Sequence, residues 1–284
     1  MRLGRVCRDG EVFLARLEKG DTVVPLMREP VGPGRDVLRE ALAAGTDLTA
    51  EPVVELPEAS PLSGWHLLSP VIAPQKVIAI GLNYADHARE SGLEPPSAPV
   101  MFLKTTNSII GPNAPIVVDP TLSAQVDYEV ELAIVIGRRA RNVPISDALN
   151  HVLGYTLCND VSARDAQFAD GQWSRAKSFD TFCPLGPWIV TTDEFVDVQN
   201  LGIRTRLNGV TVQDSTTREM IFGVAELVSY LSRFLTLEFG DVIATGTPPG
   251  VGFARTPPLF LTDGDVVEIE VDGIGVLRNP VTGR

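Results

Sequence analysis

Asp127-Tyr128-Glu129-Val130-Glu131-Leu132-Ala133-Ile134-Val135-Ile136-Gly137 reads as a strand that enters a core acid side first. Side chains alternate faces along an extended chain, so Asp127, Glu129 and Glu131 share one side. Tyr128, Val130, Leu132, Ile134 and Ile136 share the other. Beyond Glu131 the first side turns apolar as well, at Ala133 and Val135. Carboxylates stacked at the mouth of a core repel each other by roughly 1 to a few kcal/mol at intermediate dielectric, and a cation would remove that cost.

The segments around this strand give the fold class. KVIAIG (76–81), PVMFLK (99–104), APIVVD (114–119), LGYTLCND (153–160), GPWIVT (186–191), IRTRLNGV (203–210), DVIATG (241–246) and DVVEIEVDGIGVLRN (265–279) all read as strands. Helices of this main unit are fewer, expected over 84–90, 146–152 and 224–234. Strands outnumber helices and do not alternate with them, which predicts an α+β, mainly β protein built on a large mixed sheet. Before it, EVFLARLE and TVVPLM flank a Lys19-Gly20-Asp21 turn, VGPGRD breaks the chain, and VLREALAAG reads as a short helix. The Pro- and Ser-rich stretch from 51 to 74 reads as a linker. Residues 1–73 are therefore expected to form a small N-terminal α+β domain and residues 74–284 the main one.

Composition narrows the chemistry. The 284 residues carry 24 Lys and Arg against 36 Asp and Glu, a net charge of −12. Such a surface repels phosphate backbones and anionic membranes, so no nucleic-acid or membrane partner is expected. No apolar run approaches the roughly 18–20 residues of a membrane span. Cys7, Cys158 and Cys183 are odd in number and lack metal-site spacing, and no signal-peptide pattern opens the chain. The expected location is the cytoplasm.

A third acid, Asp160, stands where LGYTLCN runs into a loop. Glu129, Glu131 and Asp160 make an all-oxygen set that suits Mg²⁺ or Mn²⁺ better than zinc or copper. Taken alone, an ExE pair reads first as a solvated strand face; it becomes specific only in company. That company includes His87 and Glu90, three apart on a short helix, where a carboxylate can orient an imidazole as a general base. Alone, such a pair reads as an exposed helix contact. His66 and His151 are read as structural. Arg164, Gln167 and Lys177 offer a guanidinium, an amide and an ammonium, the groups an anionic oxo-acid needs, although each separately could be a plain ion pair. The strand-ending loop ATGTPPGVG (244–252) lacks the ending of a phosphate loop; a turn is its bland reading and carboxylate binding by Thr247 its functional one.

Taken together, GLNYADHARE (81–90), DYEVELAIVIG (127–137), GYTLCNDVSARD (154–165), KSFDTFCPLGP (177–187) and GDVIATGTPPGVG (240–252) resemble the fumarylacetoacetate hydrolase family, in its order and approximate spacing over residues 74–281. The branch most resembled has a short N-terminal domain and includes proteins similar to 2-hydroxyhepta-2,4-diene-1,7-dioate isomerase. The resemblance implies a β-rich roll of mixed sheets assembled as a homodimer. It implies a divalent ion, Mg²⁺ or else Mn²⁺ or Ca²⁺, held by Glu129, Glu131 and Asp160. It makes His87, Glu90 and Lys177 catalytic, and Arg164, Gln167 and Thr247 substrate-binding. One departure stands out: where the founding hydrolase carries a fourth carboxylate ligand, this chain has Ile80, as in the smaller members.

The expected substrate is a 2-oxo dicarboxylic or acylpyruvic acid, chelated by the ion so that an enolate is stabilised. Hydrolysis of a C–C bond in an acylpyruvate is the first expectation. Oxaloacetate decarboxylation and keto–enol tautomerisation or isomerisation share the same enolate, and a non-catalytic metal-binding relative is the reading from another class. Residues 91–100 are expected to act as a lid.

Overall fold

The computed structural model describes every residue except 19–20, 31–34, 51–55 and 91–93. Its strands are β1 (Arg2–Arg8), β2 (Glu11–Glu18), β3 (Thr22–Arg28), β4 (Val77–Gly81), β5 (Val100–Lys104), β6 (Val130–Ile136), β7 (Val152–Asn159), β8 (Cys183–Thr191), β9 (Gly202–Leu207), β10 (Val210–Thr216), β11 (Val242–Ala244), β12 (Val266–Val271) and β13 (Gly275–Gly283), with several shorter ones. The helices that matter below are α1 (Val37–Ala43), α2 (Ala85–Glu90), α3 (Arg164–Asp170) and α4 (Val224–Phe234). The protein is α+β and mainly β, as the strand-rich sequence predicts.

Among the described residues a 12-stranded mixed sheet carries β3-β2-β1-β8-β7-β6-β11-β4-β5 along its length. A 5-stranded sheet built on β10-β9-β12-β13 packs on one face. That face buries Val130, Leu132, Ile134 and Ile136 of β6 with Ile203, Val267 and Ile269 of the smaller sheet. On the opposite face Ala133 and Val135 belong to a second buried apolar cluster that also holds Val37, Leu38 and Ala41 of α1. β6 is thus covered on both sides, and each fully buried Val, Leu or Ile contributes roughly 1.5–3 kcal/mol.

Three local expectations are corrected. The first 73 residues are not joined to the main body by a linker alone: β1, which the sequence reading passed over, pairs antiparallel with β8 and carries β2 and β3 into the same sheet. Within the stretch read as a linker, Ser60–Pro61 and His66–Leu68 form strands on β3 and β1, because their free backbone groups find partners there. Finally, helix 146–152 is shorter. Its first turn spans Ile145–Ala148, a 3₁₀ turn follows, and Val152 already begins β7. β-branched Val152 gains more in the ladder than at a helix end.

By contrast α4 runs over 224–234 as predicted, burying Val224, Leu227, Val228 and Leu231 at helical spacing. The Lys19-Gly20 half of the expected turn, residues 31–34 of the expected break and the first three residues of the expected lid lie outside the described residues. Residues 94–99 form no helix or strand before β5 begins.

A candidate metal and acid–base site

The acid strand is interrupted where the chemistry begins. Asp127 belongs to a two-residue ladder with Ser162, and β6 starts only at Val130. Between them, the Glu129 amide donates to Asn159 Oδ1 (3.0 Å) and its carbonyl accepts from the Asp160 amide (2.9 Å). This clamp brings Glu129, Glu131 and Asp160 together across β6 and β7. Each offers an oxygen, all within 4.8 Å of one another, and all three are buried. Asp127 does not join them. Its carboxylate accepts from Arg164 Nε (2.8 Å) and from the amides of Gly252 (2.7 Å) and Phe253 (3.1 Å).

Cations gather around two of the three acids, Glu129 and Asp160. Lys177 Nζ donates to Glu129 Oε2 (2.5 Å) and Asp160 Oδ2 (2.7 Å). Arg164, which opens α3, lies 2.7 Å from Glu129 Oε1 and 2.8 Å from Asp127 through Nη2, and gives Nη1 to Gln167 Oε1 (2.9 Å). Burial raises the Glu129 carboxyl, but the Lys177 and Arg164 charges outweigh it and hold the group down at about 2. Burial likewise disfavours charge on Lys177, yet Asp160 and Glu129 overcome it and keep the ammonium protonated.

Glu131 is different. Among the described residues no lysine or arginine pairs with it, and Oε2 accepts only the Gly246 amide (2.9 Å). Burial, then the neighbouring Asp160 and Glu129 charges, push its carboxyl well above the usual range. A buried carboxylate beside two others, lacking a cation of its own, is the donor chemistry a hard divalent ion satisfies. The residues therefore fit such an ion.

A cavity of about 300 Å³ opens over the triad. The triad forms one part of its lining together with Arg164, Gln167 and Lys177; Phe102, Phe168, Trp173 and Phe253 form an aromatic part. Gly81 is needed for that wall, since a Cβ there would stand 2.1 Å from the Trp173 ring. Ile80 also faces the cavity, so its position supplies no fourth carboxylate.

His87 lines the cavity from α2, and its Nδ1 lies 3.2 Å from Glu90 Oε2. Glu90 also accepts from the Gly250 amide (3.0 Å). Burial opposes ionisation of Glu90, but the His87 and Gly250 hydrogen bonds hold it below its ordinary value. With Nδ1 donating to Glu90, Nε2 is left as the basic nitrogen. Thr247 Oγ1 accepts from Gln213 Nε2 (2.9 Å), which leaves its own hydroxyl proton for a ligand.

All nine residues singled out from sequence therefore meet in or beside this one cavity. His66 is exposed on its short strand, His151 pairs with Asp147 and the 138–139 carbonyls, and neither lines the cavity. Sequence reasoning missed Lys104, Asn159 and Gln213. Asn159 carried a faint signal beside Asp160, while Gln213 and Lys104 gave none that separates them from ordinary strand residues.

Fold and site together define a mixed-sheet protein with a buried three-carboxylate centre beside a His–Glu pair. Residues 76–282 match the family described as Fumarylacetoacetate (FAA) hydrolase C-terminal, and the chain belongs to that family. It is 51% identical over 221 residues to oxaloacetate tautomerase fahd2, mitochondrial, of Xenopus laevis, covering 77% of this chain and 69% of that one. Among solved structures it resembles a fumarylacetoacetate hydrolase from Exiguobacterium antarcticum, with a TM-score of 0.85, 41% identity and 100% of both chains covered. It also resembles a 5-carboxymethyl-2-hydroxymuconate delta-isomerase from Mycobacterium smegmatis, with a TM-score of 0.80, 42% identity, and 100% of this chain and 99% of that one covered. These relatives carry enzyme names. Among the described residues no helix is long and apolar enough to cross a membrane.

Proposed function

We propose that the protein is a divalent-metal-dependent enzyme that interconverts the keto and enol forms of a short 2-oxo dicarboxylic acid, oxaloacetate being the type. The observation that carries this reading is the shared cavity, in which the Glu90-oriented His87 and the triad Glu129, Glu131 and Asp160 line one space. The names of the tautomerase and isomerase relatives point the same way. Glu129, Glu131 and Asp160 would hold Mg²⁺ or Mn²⁺. When bound, the ion supplies positive charge that lowers the cost of negative charge on a 2-oxo acid's oxygens.

The chain's own residues do the rest. His87 Nε2 takes the C3 proton, Glu90 stabilises the imidazolium that results, and that proton returns through solvent to the 2-oxo oxygen, which completes the enol and resets the base. Lys177, an ammonium between two carboxylates, acts as cation and donor to the substrate oxygen. Thr247 and Gln167 orient the acid by hydrogen bonds, and Arg164, committed to Asp127 and Glu129, presents its charge from the wall. The aromatic wall restricts water and limits length. Homodimeric assembly in the cytoplasm completes the proposal.

A second reading, hydrolysis of a C–C bond in an acylpyruvate, has one observation in its favour. The wall of Phe102, Phe168, Trp173 and Phe253 suits an apolar acyl group better than a second carboxylate. There the same His87 would take a proton from water.

Both are tested by giving purified protein enol-oxaloacetate and acetylpyruvate, with Mg²⁺ or Mn²⁺ and with EDTA, following enol absorbance, pyruvate, CO₂ and released acid. The proposal expects enol decay without cleavage, lost with EDTA and restored by metal. His87→Ala is expected to slow it roughly 10²- to 10⁴-fold while leaving Mn²⁺ affinity in place. Pyruvate and acetate from acetylpyruvate would move the assignment to hydrolysis, CO₂ with pyruvate from oxaloacetate to decarboxylation, and silence on all of them to a metal-binding relative without turnover.

A further inference from the structure

Lys104 closes β5, a strand at the edge of the large sheet. Along it Met101 and Leu103 are exposed, whereas Phe102 and Lys104 turn inward. A lysine on the inward face is unusual, because its charge must be fully compensated there. The Lys104 side chain is 0% exposed and does not line the cavity. Its three donors are spoken for: Nζ binds Asp160 Oδ1 (2.6 Å), the Lys177 carbonyl, and more distantly the Val161 carbonyl (3.5 Å). A plain core ion pair is a weak explanation, since apolar residues of similar volume commonly do as well or better for stability. The choice of partners is more informative. One is a triad carboxylate, and another is the backbone of the residue whose ammonium bridges Glu129 and Asp160.

We infer that Lys104 is a positioning residue of the metal site. Its ammonium, anchored by backbone carbonyls, pins Oδ1 of Asp160 and so fixes the direction in which Oδ2 faces the triad and Lys177. By holding the Lys177 carbonyl it also sets the start of the side chain that reaches Glu129 and Asp160. Without it the Asp160 carboxylate keeps only the Lys177 contact on Oδ2, and its buried Oδ1 loses the Lys104 partner. Groups that orient metal ligands from behind commonly change metal affinity by roughly ten- to a hundredfold when removed.

The inference rests on the metal reading given above, and the experiment separates the two. Mn²⁺ dissociation constants are measured by electron paramagnetic resonance of free Mn²⁺ for the wild type, Lys104→Met, Lys104→Gln and Met101→Ala, each checked for fold by circular dichroism. Lys104→Met is expected to weaken Mn²⁺ binding roughly ten- to a hundredfold. Lys104→Gln, which keeps a donor but no charge, should weaken it less, and Met101→Ala on the exposed side of the same strand should not change it. A wild type that takes up no Mn²⁺ overturns the metal reading and this inference with it. Wild-type binding with a dissociation constant unmoved within about twofold, or tightened, in folded Lys104→Met overturns the role of Lys104 alone. Failure of both Lys104 variants to fold would assign the side chain to the core and overturn it as well.

Discussion

Glu131 lies on β6 on the same side as Ala133 and Val135, Glu129 just precedes that strand, and all four are buried, yet the two ends are held by different physics. Ala133 and Val135 sit among apolar neighbours from α1 and the adjoining strands and need nothing further. Glu129 and Asp160 are surrounded by Arg164, Lys177 and Lys104, drawn from α3, a loop and an edge strand. Glu131 is left with a backbone amide. The comparison teaches that burial is a property of the fold, while the charge placed in it answers to chemistry. Buried ion pairs are rarely more stable than an apolar core of the same volume. An acidic end held at that cost marks a site.

The comparison breaks most visibly at Arg164. Replacing it with Met leaves Asp127 and Glu129 as buried carboxylates short of a partner, and denaturant unfolding is expected to show a loss of about 3–5 kcal/mol. An undiminished midpoint would mean that the acidic end does not depend on its cations. At the apolar end, Val135→Ala is expected to cost about 2 kcal/mol through lost burial and a residual cavity. It should leave Mn²⁺ affinity unchanged, and a matching fall in affinity would show that the two ends are not separable.

The smallest effect expected is at Glu90. Its carboxyl is held below its ordinary value in the folded protein. The folded state therefore gives up that proton more readily than the unfolded chain. Its contribution is complete above the unfolded glutamate pKa of about 4.3 and fades as pH falls through the lower folded value. Glu90→Gln should therefore cost a little stability at neutral pH and flatten the acid limb of the stability–pH curve, the two curves converging below the folded value. An equal loss at acid and neutral pH would contradict a stabilising role for the Glu90 charge.

Much of this was legible in the sequence because it is local. Alternation along 127–137 gave β6, and the spacing of two glutamates on one face, with an aspartate at the next strand end, gave the triad. The three-residue step from His87 to Glu90 gave the pair. What stayed hidden depends on distant partners. Asp127 falls in phase with Glu129 by alternation, and nothing local announces the break at 128–129 that sends it to Arg164 instead. Nothing in PVMFLK sets Lys104 apart from an ordinary strand residue, and only the fold brings Asp160, 56 residues on, against it. β1 has the composition of an arginine-rich terminus, and its partner β8 lies far along the chain.

The central claim is that Glu131 is kept as a buried, cation-poor carboxylate for the sake of a divalent ion. Thermal unfolding of Glu131→Gln against wild type, in EDTA and in excess Mn²⁺, tests it most directly. The account predicts that the variant is at least as stable as wild type in EDTA, by up to about 1–2 kcal/mol, because a costly buried acid has been neutralised. It also predicts that Mn²⁺ raises the melting temperature of the wild type and not of the variant. A variant less stable in EDTA and stabilised by Mn²⁺ as much as the wild type would contradict it.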